Sequence, residues 1–185
     1  MSLPRADTMP RAAVLCVVTI AFVVFIAAPL PALSAEPPAQ TPSIAILDFE
    51  LHDLTYTPGL AEEQERTAAI APLLRDHLTT EYDYRIAEIS SEARESADKA
   101  FGYLFDHHDI AADLGREAGG DWIVVGRVHK ASFLFVYFRA HVINTKTREL
   151  IADLTVEVKG PQMRLTIRGV ETLAEQITAV IASEG

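Results

Sequence analysis

The sequence predicts an α/β fold: one mixed β-sheet of about five strands in the order β-α-β-α-α-β-β-β-α, packed with helices. Three observations carry this reading. Residues 121–159 (DWIVVGRVHKASFLFVYFRAHVINTKTRELIADLTVEVK) alternate apolar and polar side chains as three consecutive antiparallel strands do. Ahead of them, residues 43–89 read strand, helix, strand, which implies right-handed parallel crossovers. Last, residues after Gly160-Pro161 carry an apolar stripe at helical spacing, which closes the domain against the sheet.

In chain order, SIAILDFEL from Ser43 places Ala45, Leu47, Phe49 and Leu51 on one face and Ile44, Ile46, Asp48 and Glu50 on the other, so it reads as one strand. Pro58-Gly59 punctuates the next loop. From about Ala61 to Thr80, Ile70, Leu73, Leu74, His77 and Leu78 follow helical spacing, and Glu62, Glu63 and Glu65 suit the positive end of the helix dipole. Tyr84 to Ile89 reads as a second strand, and Ser90 or Ser91 caps the helix after it. Residues 92–118 are helical in two pieces with a break near Phe105 to His108, and Gly119-Gly120 ends the second piece. The final helix shows Val170, Leu173, Ile177, Val180 and Ile181 on one face.

In the meander, Leu134, Val136, Phe138, Ala140 and Val142 are apolar at every second position, as are Leu150, Ala152, Leu154, Val156 and Val158, so even-numbered side chains face the core. Directly opposed residues share a face. With Val142 opposite Leu150, Arg139 meets Asp153 and Phe135 meets Glu157; with Val128 opposite Leu134, Val125 meets Tyr137 and His129 meets Phe133. The outer face then gathers Ile123, Val125, Phe133, Phe135 and Tyr137, too large an apolar group to stand open. Helices of the same chain cover it, or a partner does, which makes Phe133, Phe135 and Tyr137 the partner-binding candidates.

Residues 1–35 have the layout of a secretory signal peptide: Arg5 and Arg11, an apolar run, then small residues at Ala32, Ser34 and Ala35. An uncleaved N-terminal membrane anchor is the other reading of this stretch, and membrane contact is expected only in that case. Cys16 lies inside the apolar run after Leu15, which does not suit lipid attachment. Residues 36–42 (EPPAQTP) are a proline-rich linker, and residues 43–185 form a single domain. Cleavage after Ala35 would remove the one cysteine, and with it any disulfide or thiolate chemistry. It would leave 14 basic and 25 acidic side chains, a net charge of −11. Such a chain is repelled by nucleic acid and anionic lipid, and a cationic patch on a partner suits it better.

IAILDFEL, APLLRDHL, GREAGGDWIVVGRVHKAS and INTKTRELIADLTVEVKG together resemble a family of small secreted bacterial proteins grouped as a domain of unknown function. More distantly, the same order is similar to the TolB N-terminal domain and to CsgG-like periplasmic domains. The most specific part is carried by Gly120, Asp121, Val124, Gly126, Lys130 and Ser132 within the run from 120 to 132. The resemblance implies a fold and a periplasmic home, in some members beside periplasmic alcohol oxidation systems, and no catalytic residue. Many members carry cysteines ahead of this run, where this chain has His107 and His108.

Candidate chemistry is sparse. Asp48, Glu50 and His52 are metal-ligand residue types spaced two apart on one strand, about 7 Å between neighbours, so one strand offers an ion at most two of them. Completion would come from the helix break, which makes His52, His107 and His108 the metal candidates. His129 and His141 share the outer face but stand about 26 Å apart in this register. His77 reads as a core histidine, and Arg164 and Arg168 as a solvated face. GREAGG closes a helix and opens a strand, the reverse of a phosphate loop. No GxSxG, HExxH or CxxC occurs. The expectation is therefore a non-enzymatic periplasmic binding or accessory domain of a cell-envelope system, without a cofactor, whose partner is an envelope protein or a small ligand. The alternative is a metal-binding accessory protein of a periplasmic oxidation system.

Overall fold

The structure is a computed structural model that describes residues 41–184; the signal-peptide or anchor stretch and most of the linker lie outside the described residues. The elements run β1 (Ser43–Ile46), β2 (Glu50–Asp53), α1 (Ala61–Tyr82), β3 (Arg85–Ile86), α2 (Ser91–Ala97), α3 (Tyr103–Asp106), α4 (His108–Glu117), β4 (Trp122–Lys130), β5 (Phe135–Asn144), β6 (Leu150–Lys159) and α5 (Met163–Glu184). They build one mixed sheet of six strands in the order β3-β1-β4-β5-β6, with β2 also on β4. β1 and β2 run parallel to β4, and β4, β5 and β6 form the antiparallel meander. Among the described residues, no helix is long and apolar enough to cross a membrane.

Two cores sandwich the sheet. On the inner face α1 and α5 pack Ile70, Leu74, Leu173 and Ile177 against Val124, Val128, Phe138 and Val142, with Leu154 on the same side, so the even-numbered side chains of the meander do look inward. On the outer face the segment from Ile89 to Ala118 packs Leu104, Phe105 and Leu114 on Ala45, Ile123, Val125 and Ile143. Each face is a separate apolar cluster, as expected where helices lie on both sides of a sheet.

The first strand differs from its sequence reading. It breaks at Leu47–Phe49, because β1 pairs as Ile46↔Val124 while β2 pairs as Glu50↔Arg127, so three residues on one strand stand against two on the other. One extra residue flips the parity of everything beyond it. Phe49 and Leu51 accordingly join Ile44 and Ile46 in the inner core, and Ala45 and Leu47 belong to the outer one. Gly126 makes room for the displaced ring: a Cβ there would overlap the Phe49 side chain.

Both hairpin registers also shift, by an even number of positions, so faces survive while partners change. Val128 is opposite Phe138 and not Leu134, because residues 131–134 form a loop in which Ser132 Oγ accepts from Leu134 and Phe135 N–H. Val142 is opposite Ala152 and not Leu150, with a bulge between Val142 and Ile143 and a turn held by Asn144 Oδ1. Phe135 therefore faces Lys159, and the Arg139–Asp153 ion pair forms diagonally at 2.6 Å. The second strand shrinks to Arg85–Ile86, and the helical stretch after it falls into three pieces, α2 to α4.

Candidate functional site

The outer helices cover only part of the sheet. Ile123 and Val125 lie beneath them, whereas Phe133 is 58% exposed in its loop and Phe135 and Tyr137 are half-buried on the open part. Strand register lays the uncovered side chains out in rows. His52, His129, Tyr137 and Glu157 are mutual partners across β2, β4, β5 and β6. Next to that row run Glu50, Arg127, Arg139 and Thr155, and on its other side Phe135 faces Lys159.

Contacts along the rows alternate aromatic and cationic groups. The His52 ring lies 5.3 Å from His129 and 5.9 Å from Phe101, and His129 lies 6.4 Å from Tyr137. Arg127 sits 4.3 Å from the Phe105 ring and 5.4 Å from Phe101, and Arg139 5.5 Å from Phe105, within the range of cation–π attraction. The acids here are already engaged. Glu50 accepts from Gly102 N–H through both carboxylate oxygens, and Glu157 accepts from Tyr137 at 3.2 Å and pairs with Lys159 at 3.1 Å. Arg127 Nη2 lies 3.8 Å from Glu50, while its Nε is buried with no hydrogen-bond partner among the described residues. Burial, and then the charges of His52, Arg139 and Arg127, hold His129 below the ordinary imidazole range. A hollow of ≈ 450 Å³ between Phe101 and the Pro58-Gly59 turn extends the row beyond His52.

The metal candidates have different neighbours. His52 is beside His129, His107 stacks on Tyr103 with Nδ1 2.8 Å from Tyr103 O, and His108 Nε2 lies 3.0 Å from His141 Nδ1. Among the described residues no three His, Cys, Asp or Glu side chains are grouped to hold an ion. Asp48 likewise leaves Glu50 and His52, because the strand break turns it to Arg75 and Arg94. His129 and His141 stand four strand positions apart in the observed register, about 13 Å, still too far to share a ligand. His141 is buried, stacked on Phe105 and 3.1 Å from its carbonyl; burial, opposed by Asp153, pushes its pKa down. His77 is half-buried against Tyr82.

The residues of the 120–132 signature hold the scaffold. Asp121 accepts from Ser43 N–H at 3.1 Å and from its hydroxyl at 2.7 Å, tying the starts of β1 and β4 together. Lys130 is 1% exposed and bridges Asp53 at 3.2 Å and Glu63 at 3.5 Å; Arg66 pairs with Glu63 at 2.7 Å and donates to Gly160 O. Sequence reasoning missed this ionic cluster, although the signal was present: Lys130 occupies an inward, even-numbered position on β4.

A family model described as a protein of unknown function (DUF2380) matches residues 42–177. No curated protein matches the sequence. Among solved structures, the chain is similar to TolB from Acinetobacter baumannii (15% identity, 80% of this chain and 30% of that one, TM-score 0.49). It is also similar to lipoprotein GNA1162 from Neisseria meningitidis (12%, 74% and 96%, 0.48) and to LpoB from E. coli (13%, 85% and 83%, 0.47). It thus spans about a third of the TolB chain and most of the other two. With three quarters of its length inside the matched segment, this chain belongs to that family, DUF3280, of proteins of unknown function.

Proposed function

We propose that the protein is a non-enzymatic binding domain of the cell envelope, exported to the periplasm, whose open outer sheet face docks an envelope protein. The observation that carries this is the uncovered row His52–His129–Tyr137–Glu157, flanked by Phe135, Arg127 and Arg139; Phe133 lies apart from it, its ring 5.3 Å from the inward-facing Lys130 Nζ. A strand face left open and furnished with aromatic rings and guanidiniums has the composition of binding hot spots. The charges on this face are balanced: Arg127, Arg139 and Lys159 lie over the rings of Phe105 and Phe135 and pair with Glu50, Asp153 and Glu157, so the partner presents apolar side chains rimmed by polar groups rather than a single sign of charge.

The export reading rests on the layout of residues 1–35. Capture of envelope proteins by the purified protein, followed by reconstitution with the purified partner, tests the docking reading. The double variant Phe135→Asp plus Tyr137→Asp is expected to keep its circular dichroism spectrum and to lose the reconstituted complex by about tenfold or more in Kd. Unchanged affinity in a folded double variant removes this face from the function.

A further inference from the structure

We infer that the crevice at the carboxyl ends of β1 and β3 binds a small ligand carrying both an ammonium and a carboxylate group, an ω-amino acid or short peptide in chemical class. β1 and β3 are adjacent parallel strands; the chain leaving β1 passes through β2 to α1 on the inner face, and the chain leaving β3 enters α2 on the outer. Strand ends whose connections part in this way leave the crevice in which open α/β sheets collect ligands. It encloses ≈ 490 Å³, within the size range of small-molecule sites, about 300–1,000 Å³. Its floor is apolar, made of Ile46, Leu47, Ala87 and Ile89.

The polar lining carries both signs: among the described residues its arginines are paired, and three of its acids are not. Arg94 Nη1 lies 2.6 Å from Asp48 Oδ2, Arg75 Nη2 lies 3.4 Å from Asp48 Oδ1, and Arg75 also donates to Ile46 O. Two guanidiniums thus converge on one carboxylate, and that carboxylate belongs to a side chain 49% exposed. A ligand carboxylate in its place would keep both guanidinium contacts. Glu88, Glu95 and Asp98 line the same crevice and form no ion pair among the described residues. Among the described residues Asp98 Oδ1 is buried with no hydrogen-bond donor, a state that native proteins avoid unless something else supplies the donor. An ammonium group seated in the crevice supplies it once the carboxylate turns outward to meet it. A plain anion would leave Asp98 unserved and face a lining with an excess of acids, and a plain amine would leave the arginines closed on Asp48.

The crevice shares no residue with the docking face, so either reading can fail alone. The test is titration of the full-length protein, followed by amide chemical shifts, with γ-aminobutyrate, δ-aminovalerate and alanyl-alanine as probes and butylamine and butyrate as controls. Saturable shifts are expected at Asp48, Glu88 and Glu95, with at least one probe binding about tenfold more tightly than either control. Arg94→Gln and Asp98→Asn are each expected to weaken that probe about tenfold, with Glu95→Gln standing in if Asp98→Asn does not fold. Absence of shifts at those amides with all three probes, equal affinity for butylamine or butyrate, or undiminished binding in both folded variants overturns the assignment.

Discussion

Lys130 occupies a position on β4 where the alternation calls for an apolar side chain, and it is buried to 1% exposure between Asp53 and Glu63. Truncating it leaves Asp53 without its cation in the interior, while Glu63 keeps Arg66. Lys130→Met is therefore expected to cost about 3–5 kcal/mol in urea denaturation, whereas adding Asp53→Asn recovers part of the loss. A loss below about 1 kcal/mol would mean that the cluster is not what fixes this corner. Histidines act in a different pH window. His129 and His141 are held below their ordinary value of 6.5, burial being the first cause in both. The unfolded chain thus binds protons more readily there, and stability falls as pH drops below 6.5 until the lower folded values are passed. Asp53 and Asp121 act lower still. Burial opposes their ionisation, but hydrogen bonds from Thr55 and Lys130 to the one, and from Ser43 and Lys146 to the other, outweigh it and hold both below 3.8. Their contribution is intact above 3.8 and disappears as pH falls through the folded values. Denaturation midpoints measured against pH should show these as two separate declines, and His141→Gln should flatten the first and leave the second unchanged.

Strand identity and facing were legible because alternation with period two survives any even slip in register. Val124, Phe138 and Val156 look inward whether or not their partners are known. What alternation leaves open is the partner itself, since loop length sets it. The loop from 131 to 134 and the bulge at Val142/Ile143 moved both hairpins by even steps, which kept the faces and changed the pairs. The break in the first strand was illegible for a related reason: one extra residue at Leu47–Phe49 is invisible when both faces are apolar ahead of it, because no alternation there fixes the parity. Gly126 was its only trace, and its meaning depends on a ring from another strand. That dependence is testable. Gly126→Ala pushes a Cβ into the Phe49 ring and should destabilise by about 1–3 kcal/mol, and Phe49→Leu in the same chain should return part of it. Additive losses in the double variant would show that the two side chains do not meet. Of the candidate site, the aromatics of β5 were legible from parity, but the His52–His129 contact was not, because it needs both the break and the parallel pairing of β2 with β4.

At the scale of the whole molecule, element order followed from periodicity and punctuation, while the division of the outer face into covered and open halves did not. That division depends on how far the segment between β3 and β4 reaches across the sheet, and no local pattern encodes reach. The same segment is where the fold is least anchored. α2 has seven residues and none of them buried, and α3 has four, whereas β4 is paired along both edges and is buried at seven of its nine residues. Local opening free energy tracks buried apolar contact, so the two regions should separate in native-state hydrogen exchange. Amides of β4 and β5 are expected to exchange only through global unfolding, and those of residues 91–106 through a partial opening at least about 2 kcal/mol less costly. α2 also walls the crevice through Arg94, Glu95 and Asp98. A ligand seated there should raise protection in α2 selectively, by an increment that grows with ligand concentration, while β4 shifts only as far as global stability does. Uniform protection across both regions would mean that the outer helices fold and unfold with the sheet as one unit, and that the crevice wall is as rigid as the strands it closes.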